Sequence, residues 1–129
     1  MERGERRAAM TYAQAVVADA QSHELSALTR VCAGYDGALA AARAVRDLAN
    51  YRERPDLETF LAAAGTLELG MEWRAEAAEQ AKRHNYDART RAVGEQLPTE
   101  ADAARTAECA QTIYSAAEAH VRTIDSRLP

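Results

Sequence analysis

Apolar residues recur along this chain in steps of three and four. From about Glu5 to Ala33 the repeat runs through Ala9, Ala13, Val16, Ala20, His23, Ala27 and Val31, the spacing that lines one face of an α-helix. Gly34 then offers a residue that adopts left-handed geometry at no steric cost, and Asp36 is a good cap for a following helix. A first helix over 5–33 is therefore expected, joined by a short loop to an antiparallel second one.

The second face carries Ala38, Ala41, Val45 and Leu48, with Arg43, Arg46 and Asp47 turned elsewhere. Pro55 lacks the amide that the helical ladder needs and restricts Arg54, while Asp56 is a natural N-cap, so this helix is expected to be kinked or broken at Pro55. The pattern resumes at Leu57, Phe60, Ala64, Leu67 and Met71 and thins into Ala75, Ala78, Ala81, Ala88 and Ala92. Leu57, Phe60, Leu61, Leu67, Leu69, Met71 and Trp73 gather large side chains in one stretch, which marks it as the best candidate core.

Gly65 and Gly70 open two readings of 57–97. One long helix would reach Gln96 and span about 60 Å, whereas a turn near Gly70 divides the chain into 5–33, 36–69, 71–97 and 99–127, each about 42 Å or a little longer. Matched lengths suit a bundle, so the second reading is preferred. Pro98 ends the third segment, and Thr99 with Asp102 has the spacing of a capping box. The last helix then shows Ala103, Ala107, Ala110, Ile113, Ala117, His120 and Ile124 on one face, widened by Tyr114, Val121 and Leu128. The expected fold is all-α: an alanine-rich up-down four-helix bundle of antiparallel hairpins, formed by residues 1–129 as a single domain.

Composition sharpens this picture. About a quarter of the 129 residues are alanine and one is phenylalanine, so helices are favoured but the core is thin. Such a domain gains from self-association or a partner. The net charge of −4 disfavours a dedicated nucleic-acid binder. Lys82 is the one lysine among 16 basic residues, a bias that GC-rich codons produce, so a bacterial or phage source is expected. The N-terminal segment imitates a secretory signal, but Thr11, Tyr12 and Gln14 interrupt its apolar region, and no run is long enough to span a membrane, which makes the cytoplasm the expected location.

Candidate chemistry is sparse. His23 and His120 differ by roughly 16 Å along the bundle axis if their helices are antiparallel, too far to share an ion. His23, Asp47, His84 and Cys109 fall at one height, yet only His23 shares the core phase. Cys32 and Cys109 are offset by roughly 13 Å, against the ~7 Å limit for a disulfide. No phosphate loop, nucleophile elbow or metal motif occurs, so no metal, cofactor or catalytic residue is expected.

Two binding surfaces remain. Leu69, Met71, Trp73 and Arg74 sit beside the expected turn, where an aromatic and an arginine suit a protein interface. Lys82, Arg83, Tyr86, Arg89 and Arg91 form a basic stretch with an interleaved aromatic, which suits a nucleic-acid backbone. The favoured function is a non-enzymatic interaction protein, an adaptor, assembly or accessory subunit binding another protein or itself. A nucleic-acid-associated subunit is the alternative, and an enzyme without a recognisable motif comes third.

Overall fold

In a computed structural model of the chain, which describes residues 2–46, 56–79 and 97–127, every regular element is an α-helix. They are α1 (Arg3–Ala20), α2 (Ala27–Arg46), α3 (Asp56–Thr66), α4 (described over 71–79) and α5 (Glu100–Arg127). Pro55 and the segment around it lie outside the described residues. None of the described helices is long and apolar enough to cross a membrane.

The first break falls at 21–26 and not at Gly34. The amides of Gln21 and Ser22 bond back to the carbonyls of Ala18 and Asp19 in a tightening turn. Ser26 then caps α2, its hydroxyl accepting the Thr29 amide at 3.1 Å. Buried Arg30 closes the corner: Nε donates to the Ala20 carbonyl at the end of α1, and Nη1 to the Glu100 carboxylate at the start of α5, both at 2.9 Å. His23, expected on a core face, is instead exposed in this turn.

Gly34 and Asp36, expected to end one helix and start the next, both lie inside α2. The glycine is there for space. A Cβ on Gly34 would come within 2.6 Å of Thr106 Cγ2 in α5, and one on Gly37 within 2.7 Å of Val17 Cγ2 in α1. The buried phase of α1 is Arg6, Met10, Ala13, Val17 and Ala20. Ala13 and Ala20 are buried as expected, while Met10 takes the place of Ala9, bringing more apolar area, and Val17 that of Val16.

α2 is the hub. It packs against α1, α3 and α5, and α1 also packs against α5. Its buried alanines, Ala38, Ala41, Ala42 and Ala44, let these neighbours approach closely. The largest fully buried side chains are Phe60, Met10, Ile113 and Val121, drawn from three different helices around it. Tyr35 of α2 meets Phe60 of α3 edge to face, with centroids 5.5 Å apart.

Of the large side chains in 57–73, Phe60 alone is fully buried, Leu67, Leu69 and Trp73 pack partly buried against the core, and Leu57, Leu61 and Met71 are exposed. Thr59, Phe60, Ala63 and Ala64 form the inward face of α3; Leu57 and Leu61 lie on its other side, about 40 % exposed. In α5 the expected run Ala103, Ala107, Ala110, Ile113 and Ala117 is buried, continuing through Val121 to Asp125. His120 and Ile124 flank that face half-buried.

Helix α3 ends in a Schellman motif. The Leu69 amide bonds the Ala64 carbonyl at 2.9 Å and the Glu68 amide bonds the Gly65 carbonyl at 3.2 Å. The left-handed position belongs to Glu68, with φ of 56°, and to neither glycine nearby. Thr99 and Asp102 do form the capping box: the Thr99 amide donates to Asp102 Oδ2 and the Asp102 amide to Thr99 Oγ1. At the opposite end of α5, Arg6 and Arg7 of α1 pair with Asp125, and Arg7 with Glu118. Gln21 meets Gln111 nearer the other end, so α1 and α5 run antiparallel.

Candidate functional site

The break at 67–70 decides where α4 begins. The Arg74 amide bonds the Gly70 carbonyl at 3.2 Å, which opens a helix carrying Glu72, Trp73 and Glu76 beside α5. Trp73 is half-buried against the core, and its indole Nε1 donates to the Cys109 carbonyl at 3.0 Å. The ring is thereby held across one face of α5.

A groove of about 380 Å³ runs between the two helices, lined by Glu72, Trp73 and Glu76 from α4 and by Arg105, Glu108, Cys109 and Thr112 from α5. The α5 residues recur at steps of three, one and three, a single stripe of the helix. Arg105 bonds Asp102 one turn earlier and lies 4.0 Å from Glu76. Among the described residues, neither Glu72 nor Glu108 has an ion-pair partner through its carboxylate. Thr112 turns its hydroxyl to the Glu108 carbonyl at 2.9 Å.

Cys109 forms part of the groove wall and is buried. Burial pushes its thiol up to about 12, and the carboxylates of Glu76 and Glu108 add to the rise. A thiol so far from ionisation is a poor nucleophile at neutral pH. Cys32 is half-buried, and neither cysteine is in a disulfide. Among the described residues no group of three or more histidine, cysteine and acidic side chains is arranged to hold a metal ion.

The expected interface residues divide between support and surface. Leu69 and Trp73 pack against the core, Met71 is 75 % exposed, and Arg74 is half-buried with its Nε unpaired. The α5 side of the groove escaped sequence reasoning, because nothing local says that Arg105, Glu108, Cys109 and Thr112 face Trp73. The basic stretch of Lys82, Arg83, Tyr86, Arg89 and Arg91 lies outside the described residues, as do Asp47 and His84. A second, apolar hollow on α3 is lined by Leu57, Glu58, Leu61 and Ala62.

Comparison with protein-family models, curated proteins and solved structures finds no match to this chain.

Proposed function

We propose that this chain is a non-enzymatic helical interaction domain, an adaptor, assembly or accessory subunit, that binds a protein partner or a second copy of itself through its Trp73 end. The observation that supports this reading is the groove: Trp73 half-buried at its side, Glu72 and Glu108 with no ion pair among the described residues, and Met71 75 % exposed on the same helix. Aromatic side chains anchored in this way are the usual energetic centres of protein interfaces. The thin alanine core agrees, since association adds apolar burial that the monomer lacks. The proposal includes a cytoplasmic protein of bacterial or phage origin.

The test is a photo-crosslinking residue placed at Met71, which is exposed enough to tolerate it, combined with light scattering of the purified chain. The expected outcome is one specific adduct, either with a single host protein or with a second copy and a matching dimer mass. A folded monomer that yields no specific adduct in its native host overturns the proposal.

A further inference from the structure

We infer that the Trp73 groove receives an arginine side chain presented by a basic segment of a partner protein. The inference rests on the interaction reading above and adds the chemistry of the partner. Glu72, Glu76 and Glu108 line the groove together with a single cationic side chain, Arg105, so the lining is net acidic by two charges. Arg105 already turns toward Asp102 and Glu76. Glu72 and Glu108 are exposed and carry no ion pair among the described residues.

A cationic partner group is thus favoured by charge, and Trp73 selects its shape. The indole is fixed by its bond to the Cys109 carbonyl, so a planar cation can stack on it without first ordering the ring. Cys109 beside it is neutral and polarizable, and its thiol has no hydrogen-bond partner among the described residues. Guanidinium combines a flat face for the ring with a fork of donors for two carboxylates. A lysine ammonium is a compact, strongly hydrated charge that offers neither.

Trp73 is the only tryptophan in the chain, so its emission reads occupancy of the groove directly. The probe is a short arginine-rich peptide without aromatic residues, compared at the same salt with the same peptide bearing lysine for every arginine. The arginine peptide is expected to change Trp73 emission saturably, with affinity about tenfold higher than the lysine peptide. The double variant Glu72→Gln, Glu108→Gln is expected to weaken it about tenfold, with helicity and melting temperature matching the parent.

No saturable change, equal affinity for both peptides, or undiminished binding by the double variant overturns the inference. So does a saturable change with a single-stranded oligonucleotide but with neither peptide. A partner crosslinked at Met71 whose binding ignores the double variant overturns the arginine reading and leaves the interaction function standing. Absence of any adduct removes that function itself.

Discussion

Trp73 and Cys109, thirty-six residues apart in sequence, are joined by a 3.0 Å hydrogen bond from the indole Nε1 to the main-chain carbonyl. This bond fixes α4 against α5 and sets the wall of the groove. Trp73→Phe keeps most of the apolar contact and removes the donor. Urea unfolding followed by circular dichroism is expected to show a loss of about 1 kcal/mol, the usual net worth of one such bond. A loss near zero would mean that packing alone holds α4 in place.

Glu68 occupies the left-handed position of the α3 terminus, with φ of 56°. That geometry costs an ordinary L-residue about 1–2 kcal/mol, more than the roughly 0.5–1 kcal/mol of extra chain entropy that glycine loses on folding. Glu68→Gly is accordingly expected to stabilise the protein by about 0.5 kcal/mol, read as a higher urea midpoint. This is a rare site where glycine should help.

Gly34 sets how closely α2 and α5 approach. In Gly34→Ala the new methyl would lie 2.6 Å from Thr106 Cγ2, and Thr106 cannot simply rotate because its hydroxyl bonds the Asp102 carbonyl at 3.0 Å. Overpacking of about 1–3 kcal/mol exceeds the ~1 kcal/mol gain in helix propensity, so net destabilisation is expected. Thr106→Ser removes the offending methyl and keeps the hydroxyl. A double-mutant cycle should show recovery in the Gly34→Ala background; independent, additive effects would refute the steric account.

Glu118 accepts hydrogen bonds from Arg7 at 3.0 Å and Arg122 at 2.9 Å. Partial burial pushes its carboxyl up, but the bonds and charges of the two arginines outweigh that and hold it below 4.5. Because the folded value is the lower one, the contribution is complete above the unfolded value and is lost as pH falls through the folded one. Unfolding midpoints should decline as pH drops below 4.5, and Glu118→Gln should show a smaller decline. An identical acid profile in the variant would count against this linkage.

The two thiols should differ in reactivity. Cys109 is buried with its thiol raised to about 12, whereas Cys32 is half-buried. Under native conditions at pH 8, Cys109 is expected to react with a maleimide far more slowly than Cys32 and to become accessible in urea. Peptide mapping of the labelled chain distinguishes the sites.

Much of the helical character was legible in the sequence, and for local reasons. The Thr99 and Asp102 pair lies three residues apart, so its reciprocal bonds depend on nothing distant. The buried face of α5 from Ala103 to Ala117 follows from helical period alone. Even so, Gly34 misled: its sequence signature as a helix stop is the same as its signature as a packing residue. Ser26, the true cap, was overshadowed by an apolar repeat that continued through the turn.

Periodicity and capping act over a few residues, and they suffice to make this chain helical, to start α5 at its capping box and to turn one side of it inward. The packed helices add that α2 is the hub, that Gly34 leaves room for Thr106, and that Trp73 shares a groove with Glu108 and Cys109. Those relationships join residues distant in sequence, and they exist only once the helices have packed.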